Sequence, residues 1–286
     1  MSVRLFDVSV RRIGPSRWGR RLVLIVVAVA SVLVVTSPGA LAASKTTYYV
    51  SVGDSLAQGF QPTGGPYRPL GSSGYQHGYA DQLFKAVRDR YEQFQLVKLG
   101  CGGESTKSMV LGTSSSCAFP AGSQLAQAEE FLRAHRDEVA FVTIDIGAND
   151  LSDSDIVTYL PQILDGLRAA AGPGVPIIGM SYYAGGLPDV WNQTHDLTAV
   201  QNYVEQVIEP FNGLLESIYT AHGDPVADVQ GAFQADDLTL VGGTPLNVVR
   251  ECQWTWQCTP PPHGPDIHAN TTGYGVIAQA FEQQLP

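Results

Sequence analysis

The sequence predicts an α/β domain whose parallel sheet is covered by helices on both faces. Three observations predict it: five short apolar runs rich in β-branched or aromatic residues, longer segments of helical period between them, and turn residues bounding the runs.

The first 42 residues stand apart from that pattern. An arginine-rich start (Arg11, Arg12, Arg17, Arg20, Arg21) leads into an apolar run over 22–35, and Ala40-Leu41-Ala42 then supplies an A-x-A cleavage pattern. Residues 1–42 are read as a cleavable export signal and residues 43–286 as a single domain. The alternative is a membrane anchor, but the apolar run falls short of the roughly 20 residues a spanning helix needs. The pairs Arg11-Arg12 and Arg20-Arg21 leave a twin-arginine route open.

With 44% hydrophobic and 15% charged residues in 286, the chain can bury a full-sized core and is too apolar for disorder. Setting aside the six arginines and one aspartate before Ala43 moves the formal charge from −10 to −15. Such a surface repels nucleic acid and anionic membranes and suits a soluble life outside the cell.

The elements follow in order. Residues 47–52, 95–99, 139–146, 175–180 and 226–229 read as buried strands. Tyr79, Leu83, Phe84, Val87 and Tyr91 mark a first amphipathic helix, and Ile156, Leu160, Ile163, Leu164 and Leu167 another. The longest pattern runs through Val200, Val204, Ile208, Phe211, Leu215 and Ile218, and a last helix follows Gly273 with Tyr274, Ile277 and Phe281. Insertions are expected over 111–122 and 230–265, the second containing the stiff Thr259-Pro260-Pro261-Pro262 run.

All four cysteines lie in the exported part, in two local pairs. An oxidising compartment makes Cys101–Cys117 and Cys252–Cys258 the expected disulfides, with three connectivities open on sequence alone. Zinc on Cys252, Cys258, His263 and His268 is the rival, at a spacing that matches no common finger.

In a parallel sheet the chemistry collects at the carboxyl ends of the strands, and four short pieces fall there. Gly53-Asp54-Ser55-Leu56 follows the first strand and puts a hydroxyl at a strand-to-helix turn, where backbone N–H groups lack partners; its bland counterpart is a helix cap. Gly100-Cys101-Gly102-Gly103-Glu104 follows the second strand, where glycine lets an N–H approach a ligand or merely makes a tight loop. Gly147-Ala148-Asn149-Asp150 follows the third and offers a side-chain amide to a developing oxyanion, or an Asn-Asp turn. Asp266-Ile267-His268 precedes the last helix and supplies a histidine behind a carboxylate, the general-base half of a serine triad.

Taken together, the Ser55, Gly103, Asn149 and His268 blocks resemble the four signature blocks of the SGNH, or GDSL-type, hydrolases, over nearly the whole of 43–286. The resemblance implies a flavodoxin-like three-layer α/β/α sandwich with about five parallel strands. It implies Ser55 as nucleophile, His268 as base, and an oxyanion hole of the Ser55 N–H, the Gly103 N–H and the Asn149 side chain. The family places its acid three residues before the histidine, where this chain has Pro265; Asp266, two before, is the nearest carboxylate and is assigned as the acid, against a backbone carbonyl or another acid.

The expected activity is ester hydrolysis of lipase or esterase type through an acyl-enzyme, with no metal or organic cofactor. G-x-S-x-G, the mark of the α/β-hydrolases, does not occur. A carbohydrate O-acetylesterase is the enzyme alternative, and a non-catalytic secreted binding protein the alternative of another class. The expected partner is a small-molecule, lipid or acylated-carbohydrate ester, met by a secreted monomer with no nucleic acid and no membrane span after cleavage. Tyr182, Tyr183, Trp191, Trp254 and Trp256 are candidate aromatic walls, or packing for their own loops.

Overall fold

The apolar runs become β1 (Thr47–Gly53), β2 (Phe94–Lys98), β3 (Val139–Asp145), β4 (Ile177–Met180) and β5 (Val226–Ala227) in a computed structural model, which describes residues 45–62, 76–114 and 116–286. The export signal expected over 1–42 lies outside the described residues. All four neighbour pairings are parallel, in the order β2-β1-β3-β4-β5. The chain runs one way from β1 to β2 and the other way from β3 onward, so β1 and β3 flank a topological switch point, where such sheets bind ligands beyond the strand ends.

Between strands lie α1 (Ser55–Gln58), α2 (Tyr79–Val87), α3 (Thr106–Leu111), α4 (Gln124–Ala134) and α5 (Asp153–Ala171). After β4 come α6 (Leu187–Thr194), α7 (Leu197–Tyr203) and α8 (Glu209–Ala221). Beyond β5, α9 (Val229–Ala232) leads to a short ribbon of β6 (Leu240–Val241) and β7 (Thr244–Pro245), then α10 (Leu246–Trp254). A hairpin of β8 (Thr255–Trp256) and β9 (Asp266–Ala269) precedes α11 (Thr271–Glu282).

α2 packs on α11, while α4 and α8 pack on α5, which gives two helix groups for the two faces of the sheet. Burial explains the strands: Tyr49, Val50, Val52, Phe141, Val142, Ile144, Ile177 and Ile178 are fully enclosed, and each such side chain contributes about 1.5–3 kcal/mol. Tyr49 stacks on Phe141 at 4.5 Å, and Tyr79 of α2 stacks on Phe281 of α11 at 4.8 Å.

Two helices depart from the periodicity. The first ends at Val87 and closes in a 3₁₀ turn, Arg88–Arg90, leaving Tyr91 outside it to stack on Phe94 at 4.4 Å. The long pattern through 200–218 is split by a π turn, Val204–Ile208, between α7 and α8. Pro210 explains the break: it has no N–H for the Gln206 carbonyl, and its ring crowds that oxygen, so the backbone widens and Glu209 N–H bonds to the Val204 carbonyl instead.

Candidate active site

At the end of β1 the chain turns at Gly53, whose φ of +134° and approach to β3 exclude a side chain; a Cβ there would stand 2.1 Å from the Asp145 carbonyl oxygen. Asp54 caps the short α1, its Oδ1 accepting the Leu56 N–H at 2.9 Å, and Asp145 Oδ2 accepts the Ala57 N–H at 3.1 Å. With those two donors satisfied, the Ser55 N–H is left without a partner among the described residues. The helix cap is Asp54, and the Ser55 hydroxyl takes no part in it.

His268 arrives from the opposite end of the sequence. Its Nε2 lies 2.8 Å from Ser55 Oγ, and its Nδ1 lies 2.7 Å from Asp266 Oδ1. The same Oδ1 accepts the His268 backbone N–H at 2.9 Å. The two-residue spacing succeeds because 266–269 is the strand β9, on which residues i and i+2 share a face. Partial burial works to raise the Asp266 carboxyl, but the hydrogen bonds from His268 and the imidazolium charge outweigh it and hold the group below its ordinary value. Phe60 packs against the imidazole at 4.5 Å between ring centres.

Gly103 sits at φ +76° on the loop after β2, a left-handed conformation that suits glycine. The Gly102 N–H goes to Gln58 Oε1 at 3.1 Å and the Glu104 N–H to the Cys101 carbonyl at 3.1 Å. The Gly103 N–H between them has no partner among the described residues, whereas that of Gly102 is taken. Cys101 N–H donates to the Gly53 carbonyl at 3.0 Å and ties this loop to the nucleophile turn.

Asn149 Nδ2 donates to the Glu104 carbonyl at 3.0 Å, which orients the amide and leaves its second hydrogen free to donate. Asp150 Oδ2 accepts the Thr106 N–H and Oδ1 the Thr106 hydroxyl, at 2.9 and 2.6 Å, so the second and third blocks are joined. The cysteines pair as Cys101–Cys117 and Cys252–Cys258, with Cα atoms 6.1 and 5.0 Å apart, which removes Cys252 and Cys258 as thiolate ligands for zinc.

Ser55, Asn149 and His268 line one cleft of about 380 Å³, with Ile156, Ile208, Phe211, Tyr182 and Tyr183 as its apolar walls, Asp54, Asp150 and Asp153 as its acids, and no lysine or arginine among the described residues. Gly103 is not part of this lining. Of the five aromatic candidates only the two tyrosines reach the cleft. Trp191 stacks on His195, Trp254 meets Phe233 edge-on, and the Trp256 indole donates to Gln61 Oε1 at 2.7 Å. Ile208 and Phe211 come from the π turn and α8, positions that carried only a helical period in the sequence.

Sequence reasoning also missed Asp145, an acid closing the most apolar strand, and its position beside the Gly147 block was the available signal. Asp54 and Asp145 are both buried and lie close enough for each to influence the other's charge. Burial raises both carboxyls, and the neighbouring Asp54 charge adds to the rise at Asp145, which lies well above the carboxylate range. Tyr182 donates to Asp54 and Tyr79 to Asp145, so the pair beneath Ser55 is fully engaged.

The fold is similar to that of an extracellular lipase from Streptomyces rimosus, at 16% identity and a TM-score of 0.53 over 83% of this chain and 99% of that one. It is also similar to a catalytic mutant of an acetylxylan esterase from Geobacillus stearothermophilus, at 14% identity and a TM-score of 0.53 over 85% and 95%. At these identities the likeness is one of fold. No protein of curated function is significantly similar in sequence. Residues 51–276 match the model of the GDSL-like lipase/acylhydrolase family, and with most of its length so covered the chain belongs to that family of ester-bond hydrolases.

Proposed function

We propose that the chain is a secreted carboxylic-ester hydrolase that works through an acyl-enzyme on Ser55. The observation that carries this reading is the single line of contacts from Ser55 Oγ to His268 Nε2 at 2.8 Å and from His268 Nδ1 to Asp266 Oδ1 at 2.7 Å. His268 takes the Ser55 proton as Oγ attacks the ester carbonyl, and Asp266 holds the imidazole and offsets its positive charge. The carbonyl oxygen, now negative, receives the Ser55 N–H and the Asn149 amide, with the Gly103 N–H as third donor. The imidazolium returns its proton to the departing alcohol, and a water activated by the same nitrogen cleaves the acyl-enzyme and frees the acid.

The cleft's apolar walls and its lining acids Asp54, Asp150 and Asp153 favour an uncharged acyl group, which supports the lipase or esterase reading over one for anionic substrates. The shared fold of the acetylxylan esterase is what favours the second reading, a carbohydrate O-acetylesterase. Secretion is supported by the export pattern over 1–42, two disulfides and the fold shared with an extracellular lipase; among the described residues no helix is long and apolar enough to cross a membrane. Residues 43–286 are then the single catalytic domain.

The test is hydrolysis of 4-nitrophenyl esters of increasing acyl length, with Ser55→Ala alongside. Ser55→Ala is expected to abolish turnover; activity that survives it would overturn the assignment, and absence of turnover in both forms would overturn it in favour of a binding protein. A preference for acetate selects the deacetylase reading; a preference for longer acyl chains selects the lipase reading.

A further inference from the structure

Tyr182 and Tyr183 follow β4 as consecutive residues, and successive side chains of an extended segment project in opposite directions. The Tyr182 hydroxyl donates to Asp54 Oδ2 at 2.8 Å, on the residue before Ser55. The Tyr183 hydroxyl donates to the Ile267 carbonyl at 2.8 Å, on the residue before His268. One dipeptide thus grips both partners of the Ser55–His268 contact, each through the residue immediately preceding it.

The dipeptide is itself anchored. Asn212 of α8 accepts the Tyr182 N–H through Oδ1 and donates through Nδ2 to the Tyr182 carbonyl, both at 2.8 Å. The Tyr183 ring stacks on Phe233 at 4.6 Å, with planes 14° apart. Both tyrosines are 8% exposed, so water competes little for their hydroxyls.

Such an anchor answers a geometric need. Ser55 and His268 are 213 residues apart, and β9 pairs with β8 rather than with the central sheet, so no strand register fixes their separation. A displacement of about 1 Å at reacting atoms can cost on the order of 10²-fold in rate. Gln61 and Tyr274 add further ties, from Gln61 Nε2 to the Ala269 carbonyl at 3.3 Å and from the Tyr274 hydroxyl to the Phe60 carbonyl at 2.8 Å. Tyr182 and Tyr183 are the pair that reaches the residues immediately preceding Ser55 and His268.

We propose that Tyr182 and Tyr183 are positioning residues for ester hydrolysis, acting through Asp54 and Ile267 to hold Ser55 Oγ and His268 Nε2 within hydrogen-bonding distance. The inference rests on the Ser55–His268 reading of the site. It places the hydroxyls, rather than the aromatic faces, at the centre of what these residues do. Removing a hydroxyl while keeping its ring should therefore leave the cleft wall, and substrate binding, in place.

The test compares Tyr182→Phe, Tyr183→Phe and the double variant with the parent protein on 4-nitrophenyl acetate and butanoate. Folding is followed by circular dichroism, and either single variant suffices if the other does not fold. Each single variant is expected to lose about tenfold in kcat, the equivalent of one buried hydrogen bond, with KM within about twofold. The double variant is expected to lose little more than either single one, because both ties serve one contact. Unchanged kcat in the single variants, a KM rise matching the kcat loss, or a double loss equal to the product of the single losses would each overturn the clamp. Ser55→Ala separates the levels: activity surviving it sinks the Ser55 reading, whereas its loss beside unaltered Tyr→Phe rates sinks only the clamp.

Discussion

Replacing Asp266 by Asn changes one atom type at the point where the histidine spacing departs from its family. In the parent, Asp266 Oδ1 faces His268 Nδ1 at 2.7 Å and the His268 N–H at 2.9 Å, with the two side chains 26% and 18% exposed. When Ser55 gives up its proton the imidazole becomes cationic against that carboxylate. With charge centres about 4 Å apart and an effective dielectric near 20, the attraction is about 4 kcal/mol, trimmed toward about 3 kcal/mol by solvent at the partly exposed carboxylate. That corresponds to two to three orders of magnitude, roughly, in kcat.

Tautomer choice adds to the loss. An amide Nδ2 turned to His268 Nδ1 donates a hydrogen bond where the parent accepts one, leaving the proton on Nε2 and Ser55 without a base; in serine triads this substitution can cost about 10⁴. The expected fall for Asp266→Asn thus lies between about 10² and 10⁴ in kcat, with KM little changed, measured on 4-nitrophenyl butanoate from pH 6 to 9. A variant within threefold of the parent would remove Asp266 from the site and refute the electrostatic reasoning. The pH sign agrees: because the Asp266 carboxyl lies below its ordinary 3.8, its contribution is complete above that value and is lost only as pH falls through the lowered one.

Asn149→Ala should cost about 10²–10³ in kcat with little change in KM, since the amide engages the oxygen only as it becomes negative; an effect on KM alone would contradict this. Opening Cys101–Cys117, which closes a sequence separation of 16 and contributes about 3 kcal/mol, should lower turnover while circular dichroism remains native, because that loop carries Gly103. Unchanged turnover with both bridges shown open by mass spectrometry would refute it. Glu251 is buried, its Oε1 has no hydrogen-bond partner among the described residues, and burial pushes its carboxyl from 4.5 to about 8. The folded state therefore favours the neutral acid, and stability present below about pH 4.5 is lost as pH rises toward 8, on the order of 4 kcal/mol; Glu251→Gln should flatten the fall of Tm between pH 5 and 9, and parallel curves would refute it.

The sheet was legible because each strand is an apolar run ended by a turn, as where β1 stops at Gly53 and β3 leads into Gly147. Ser55 and Asn149 were legible as candidates for the same reason, since each stands just past such an end, whereas His268 stood out by the carboxylate before it and the last helix after it. The reach of Asp266 to His268 was not, because the proline-rich stretch before it hides that 266–269 pairs with β8 as a strand. The π turn was equally hidden: Val204, Ile208 and Phe211 keep a helical rhythm, and only the missing N–H of Pro210 breaks the hydrogen-bond ladder. Contacts such as Tyr182 to Asp54, 128 residues apart, leave no local trace in the sequence.

The proposed oxyanion donors are better understood through their neighbours than through themselves. Around Ser55, the Leu56 and Ala57 N–H groups are taken by Asp54 and Asp145; around Gly103, those of Gly102 and Glu104 are taken by Gln58 and the Cys101 carbonyl. Each loop spends its surrounding donors and leaves one N–H free. A buried N–H without a partner is costly in the resting protein. Ser55 is buried and bears that cost, whereas Gly103 is exposed; in the proposed site, charge appearing on a bound ester oxygen meets donors that need not first break other bonds. On this view the buried carboxyl pair serves the proposed site by subtraction: Asp54 and Asp145 occupy the competing donors of α1, and burial raises both carboxyls, which favours their neutral forms and eases the repulsion between two acids placed together.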